Sequence, residues 1–303
     1  MSKQSTSTKS SKPRAKLVRK ASRDCPNCTF EFPINHTGCP HCGMPSFFPN
    51  VDRANDPIEK EKLELRLKKV RKECTEKDCE DKLDSFIKEC SKSQAVFGCR
   101  IGRLFREIGT ETQVYETYHD LERLKLRCSA PPGLDWGKLR PQAETELLGG
   151  DQHPDKIHYA CLSLDGTGIS SYGECVITLN EPMIAHRSTC FEGNTAVIYS
   201  EHKSFEDFVT CEWAVRGDLC GAVLGKKLNK VTQLADFQGI LVEDGASPLD
   251  DLFIEVHVFG SMTGRTFQKV SIDSSKHSKN DKIYAGVVKE KFDKANVTCE
   301  IVG

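Results

Sequence analysis

Apolar residues recur along this chain with two different periods, and the change from one to the other divides it. Over 58–72, Leu63, Leu67 and Val70 fall at helical spacing behind a helix-start signal, Asn55-Asp56-Pro57. Over 77–92, Leu83, Phe86, Ile87 and Cys90 share one helical face, and a third helical stretch is expected over 96–127, broken near Gly109 and Thr110. Pro131, Pro132 and Gly133 then interrupt the pattern, and the segment that follows is helical at best around 141–148. From Ile157 the period shortens. Short apolar runs at 157–164, 173–179, 195–199, 222–224, 240–242, 253–259, 269–272 and 282–288 alternate with turns, and helical patches fall at 181–185, 204–215 and 227–237. Many short strands with few helices predict an α+β fold with a largely antiparallel sheet and argue against a doubly wound parallel one.

Length and composition fit this division. At 303 residues the chain can hold about two folded units and a small module, and 38% hydrophobic with 29% charged residues is the balance of an ordinary globular protein. No run approaches the ~20 apolar residues that a spanning helix requires, and no apolar stretch follows the basic start, so the expected location is the cytoplasm, away from membranes. The charge is uneven. Eight of the 43 Lys and Arg lie in residues 1–23, which hold no acid, leaving 35 bases against 44 acids and a body at about −9. Residues 1–23 therefore read as a solvated basic tail suited to polyphosphate.

After that tail come Cys25-Pro-Asn-Cys28 and Cys39-Pro-His-Cys42, ten residues apart. Zinc takes four thiolates tetrahedrally, and each Cys-x-x-Cys turn offers two from one knuckle, so Cys25, Cys28, Cys39 and Cys42 are the expected ligands of a structural Zn2+. Gly43 suits the left-handed turn that closes such a knuckle. The other eleven cysteines are scattered through apolar or helical segments and read mostly as small buried thiols. The expected organisation is a basic tail (1–23), a zinc ribbon (24–50), a helical region (55–128), a linker (129–156) and an α+β domain (157–303).

Phosphate-cradling and hydrolase motifs are absent: there is no Gly-x-x-x-x-Gly-Lys-Ser/Thr, no Gly-x-Ser-x-Gly and no His-Glu-x-x-His. Polar residues instead interrupt three strand-like segments of the last region. His158 and Tyr159 lie in the first, and Tyr172 and then Arg187, Ser188 and Thr189 in the second. In the third, strict alternation puts Phe253, Glu255, His257 and Phe259 on one face and Ile254, Val256 and Val258 on the other. A carboxylate and an imidazole two residues apart stand about 7 Å apart by the strand rise, close enough to act on one ligand or, equally, to form a solvent-facing pair.

The order of these segments resembles the ADP-ribosyltransferase fold of bacterial toxins and effectors, a split antiparallel β-sandwich that holds NAD in a central cleft. The resemblance covers 157–303. It implies that His158 and Tyr159 hold the dinucleotide, that Tyr172 or Arg187-Ser188-Thr189 packs on the nicotinamide, and that Glu255 with His257 serves catalysis. Its usual carboxylate is second in a Glu/Gln-x-Glu pair, whereas Glu255 is first here and His257 second; Glu192 is a fallback, expected in a solvent-exposed loop. NAD is then the co-substrate and a macromolecule, nucleic acid foremost, the acceptor. Such toxins of conflict and phage-defence systems are commonly held silent by an inhibitory protein partner. Two other readings remain. One is a non-enzymatic adaptor whose ribbon, with His36 and His41 its only basic side chains between Cys25 and Cys42, binds a protein or nucleic-acid partner. The other is a metal-dependent nuclease built on Glu255, His257, Asp250 and Asp251.

Overall fold

The computed structural model describes residues 22–24, 30–33, 39–42, 48–107, 114–125, 135–148, 154–247, 249–276 and 279–302, and the chain separates after Ser46 into two units. In the first, β1 (Ser22–Asp24) pairs antiparallel with β2 (Glu31–Pro33), and Phe30 stacks on His41 with ring centroids 5.3 Å apart. Cys39 is buried and Cys42 exposed; Cys25 and Cys28 lie outside the described residues.

The second unit, Phe47–Gly303, opens with α1 (Pro49–Ala54), α2 (Pro57–Glu76) and α3 (Glu80–Cys90). The start of α2 is the one the sequence signals: the Asp56 carboxylate accepts from the Ile58 amide at 2.9 Å, and Pro57 takes the first turn, where its missing donor costs nothing. Leu63 and Val70 of α2 and Leu83, Phe86 and Cys90 of α3 turn into the core. Next come β3 (Gln94–Cys99), α4 (Ile101–Glu107), β4 (Val114–Tyr115), α5 (Tyr118–Arg123) and α6 (Trp136–Leu148). The remainder runs β5 (Ile157–Ser163), β6 (Cys175–Leu179), α7 (Glu181–Ile184), β7 (Ser188–Phe191), α8 (Thr195–His202), β8 (Thr210–Glu212), α9 (Arg216–Leu224), α10 (Phe237–Leu241), β9 (Val242–Glu243), β10 (Leu252–Phe253), β11 (Glu255–Phe259), β12 (Met262–Thr263), β13 (Phe267–Asp273), α11 (Lys279–Lys294) and β14 (Thr298–Val302).

The fold is mixed α and β around one large sheet of eight strands, in the order β14-β13-β6-β3-β5-β11-β7-β8. Every neighbouring pair is antiparallel except β13 with β14. Hydrogen bonding thus joins the strands into a single sheet where two stacked sheets were expected. Nor do 55–128 and 157–303 form separate bodies, because β3 lies between β6 and β5 at the centre of that sheet. The helix expected over 96–127 is accordingly β3, α4, β4 and α5: Ala95, Val96, Phe97 and Cys99 are buried on both strand faces, which erases the alternation that marks a half-exposed strand. The reverse error occurs at 195–199, 222–224 and 282–288, read as strands but found in α8, α9 and α11. In α9, Leu219, Cys220, Ala222 and Leu224 are all buried, so no period survives; in α11, Ala285, Val288 and Phe292 do keep helical spacing. The patch at 204–215 contains β8, and 227–237 is turns and short 3-10 segments up to the start of α10. Among the described residues no helix is long and apolar enough to cross a membrane, and no cysteine forms a disulfide; those from Cys74 to Cys299 are buried.

Two glycines seat the turn 170–172 against β3. A Cβ on Gly98 would lie 2.8 Å from Tyr172 Cβ, and Gly173, at φ +138, would drive a Cβ to 2.4 Å from the Cys99 carbonyl. Gly173→Ala should lower unfolding free energy by about 2–4 kcal/mol, through both the strained backbone and the clash. Urea denaturation of the full chain measures this; a loss near zero would show that the turn does not sit against β3.

Candidate functional site

The central sheet opens at one place. Pairing between β3 and β5 covers only Gln94↔Ser163, Ala95↔Leu162 and Val96↔Cys161, whereas β3 stays on β6 as far as Cys99↔Cys175 and β5 stays on β11 as far as Phe259↔Ile157. Where the two strands part, residues from both line a cavity of about 310 Å³. Its walls also take Tyr115 and Trp136, and Tyr172 and Phe253 meet edge to face on it with centroids 6.4 Å apart. Arg100, Arg103, Arg106 and Arg140 line it against the two carboxylates of Glu116 and Glu255, so this cavity is cationic within an acidic body. The Arg103 guanidinium lies 4.1 Å over the Tyr115 ring and donates to the Glu116 carbonyl at 2.7 Å.

Glu255 and His257 share one face of β11 as alternation predicts, but they are buried and bonded to each other, with His257 Nε2 2.9 Å from Glu255 Oε2. Oε2 also accepts from the Thr195 amide at 2.9 Å and from Thr195 Oγ1 at 2.6 Å, the first turn of α8. That turn is capped by Asn194, whose Oδ1 accepts from the Ala196 and Val197 amides. Oε1 accepts from Arg140 Nη2 at 3.0 Å. Arg140 Nη1 donates to Thr195 Oγ1 at 2.9 Å, Nη2 donates to Asn194 Oδ1 at 3.2 Å, and the guanidinium lies 4.0 Å over the Tyr159 ring. Burial alone would push the Glu255 carboxyl up; Arg140 and His257 outweigh it and hold the group well below the usual carboxylate range. The Arg140 guanidinium is held above its usual value against the same burial, by Glu255.

Of the residues singled out in the sequence, His158, Tyr159, Tyr172 and Glu255 line this one cavity. His257 stands behind Glu255, edge-on to Tyr159 at 5.4 Å. Arg187, Ser188 and Thr189 are not brought to it. Arg187 donates to the carbonyls of Met183, Phe259 and Ser261, Ser188 Oγ donates to the Ile184 carbonyl, and Thr189 Oγ1 accepts from Asn50 Nδ2. These are buried staples between β7, β11 and α1. Glu192 is half-buried rather than exposed, accepting from Arg66 and from the Val209 amide. Asp251 accepts from Ser171 Oγ at 2.7 Å and from the Gly245 amide, fixing the turn beside Tyr172. Among the described residues no three His, Cys, Asp or Glu side chains gather as metal ligands, Glu255, His257, Asp250 and Asp251 included.

Sequence reasoning passed over Arg140, Trp136, Thr195 and Asn194. Both pairs had a signal: Asn194-Thr195 after Gly193 is a helix N-cap pattern, and Trp136 and Arg140 stand four apart on one helical face. Several buried polar atoms around the cavity have no hydrogen-bond partner among the described residues: Trp136 Nε1, His158 Nε2, Tyr159 Oη and Glu116 Oε2. Each leaves about 1–3 kcal/mol that a partner could recover. No known protein-family model matches the chain, and no curated protein matches it.

His158 gives this site a pH signature. Burial, with Arg103 and Arg187 nearby, pushes its imidazole down to about 3, while the unfolded ring takes its proton at 6.5. Between those values the unfolded chain binds more protons, so stability falls on acidification, by at most about 1.4 kcal/mol per pH unit from this group. Glu255, depressed, withdraws its own contribution only below about 4.5. Over pH 4.5–6.5 the stability of wild type minus that of His158→Phe should therefore decrease as pH falls; parallel curves from chemical denaturation would show that the folded state protonates His158 as readily as the unfolded chain does.

Proposed function

We propose that the cavity binds a nucleotide of the NAD class and that the chain transfers ADP-ribose from it to a macromolecular acceptor. What carries this reading is the meeting of His158, Tyr159, Tyr172 and Glu255, from three separate segments, on one cavity. That cavity lies where two central strands part. Its chemistry suits the ligand: guanidinium groups match phosphate oxygens bidentately, aromatic faces accept a nicotinamide or adenine ring, and the unpartnered polar atoms of Trp136, His158 and Tyr159 can meet an amide or ribose hydroxyls.

In the reaction the glycosidic C1′–N bond breaks, nicotinamide leaves with the bonding pair, and the ribose takes on positive charge. A lone pair of the acceptor forms the new bond to C1′ and that atom sheds its proton. A carboxylate at Glu255, ionised throughout, opposes the developing charge. The basic tail favours a phosphate-rich acceptor such as RNA or DNA. A second reading, a nucleotide-binding adaptor without the reaction, draws on the engagement of both Glu255 oxygens. For the first unit the proposal is a structural zinc site at Cys25, Cys28, Cys39 and Cys42, supported by their spacing.

Incubating the protein with labelled NAD and separate pools of RNA, DNA and protein tests the transfer. Wild type should label one pool, and Glu255→Gln, assayed where circular dichroism shows it still folded, should lower the rate by about a hundredfold or more. NAD binding without transfer favours the adaptor, and no NAD binding removes the nucleotide reading. Elemental analysis should find about one zinc per chain, lost in Cys39→Ser; a metal-free folded protein would remove the ribbon.

A further inference from the structure

The carboxylate that the proposed transfer needs is already occupied. Glu255 Oε2 is held by groups fixed in the fold, the Thr195 amide and hydroxyl at the start of α8 and His257 on the same strand. Oε1 is bonded to Arg140 Nη2 at 3.0 Å. Arg140 is itself a wall of the cavity, 6% exposed, with its guanidinium 4.0 Å over the Tyr159 ring. Neutral acceptors, Thr195 Oγ1 and Asn194 Oδ1, hold the same guanidinium from the α8 side, so it stays beside the cavity whether or not Glu255 keeps its bond.

One guanidinium thus faces two possible anions: the carboxylate behind it and whatever enters in front. A phosphate carries at least as much charge as a carboxylate and takes the same bidentate geometry. The geometry points to Arg140 as a specificity-determining gate: a phosphate-bearing ligand draws the guanidinium from Glu255, and Oε1 is then open to a ribose hydroxyl. This inference rests on the nucleotide reading of the cavity. It makes the anionic part of the ligand a trigger as well as a handle, because a ligand without phosphate leaves Arg140 on Glu255. By linkage the competition is reciprocal: the factor by which bound phosphate weakens the Arg140–Glu255 bond is the factor by which that bond weakens phosphate binding.

Glu255→Gln supplies the test, since it removes the competing charge while keeping the side chain's size and Arg140 itself. Titration calorimetry with inorganic pyrophosphate on the full chain should show Glu255→Gln binding about tenfold more tightly than wild type. Equal or weaker binding overturns the gate, and so does an equal gain when Glu255→Gln is placed on Arg140→Gln, since charge removal alone would explain it. Titration of wild type with NAD, run in parallel, decides the underlying reading separately. A pyrophosphate gain in Glu255→Gln without NAD binding in wild type keeps the anion gate and overturns the NAD reading. NAD binding without the gain does the opposite, and neither overturns both. Arg140→Gln adds a kinetic readout if it folds: the KM for NAD rises about tenfold with kcat not lowered, whereas a fall in kcat alone counts against a gate.

Discussion

A guanidinium and a carboxylate buried against each other organise the second unit. Arg140 and Glu255 have lost nearly all contact with water, and stripping an ion of water costs several kcal/mol unless close, fully hydrogen-bonded pairing offsets it. Here the offset requires three elements at once. The centre of β11 brings the carboxylate, α6 brings the guanidinium, and the capped start of α8 brings an amide and a hydroxyl to the oxygen that Arg140 leaves. Asn194 extends the network by donating from Nδ2 to the Tyr172 hydroxyl at 3.3 Å, tying the far wall of the cavity to the same centre. A shift of any one of these elements breaks hydrogen bonds to a buried charge, although Glu144 also acts on Arg140 and His257 stays bonded to Glu255.

How much of this was legible in the sequence follows from where each residue finds its partners. Strands β5, β6 and β11 fall within predicted runs and β13 contains one, because their alternation or apolar density is local, and the shared face of Glu255 and His257 is a direct consequence of strand geometry. Arg140 is 115 residues from Glu255 and sits in a stretch that Pro131, Pro132 and Pro141 make look like a linker. Its function depends on a tertiary approach that no local pattern encodes. The central strand β3 was hidden for a related reason: its neighbours on both sides come from beyond residue 156, so nothing near it in the chain shows what it pairs with.

Arg187 illustrates the converse. By residue type it is as good a phosphate ligand as Arg140, yet it closes on three backbone carbonyls instead, and burial among those uncharged acceptors pushes its pKa down. A cation surrounded by carbonyl oxygens is bound but not neutralised. It serves as a clamp on the segment leading into β7, and the field that it leaves uncompensated is one cause of the depressed imidazole of His158. The same residue type therefore does two jobs, decided by whether an anion stands opposite.

Strand β3 also governs how the molecule can be assembled. With it removed, the strand order falls into β14-β13-β6 on one side and β5-β11-β7-β8 on the other. Both groups emerge from the ribosome after β3, and its first partner in the chain, β5, begins more than 50 residues later. During synthesis β3 thus waits as an apolar, unpaired segment, and the long loops that must close around it make for slow folding. The cavity is a late product of that process, absent until the two half-sheets have met across a single shared strand.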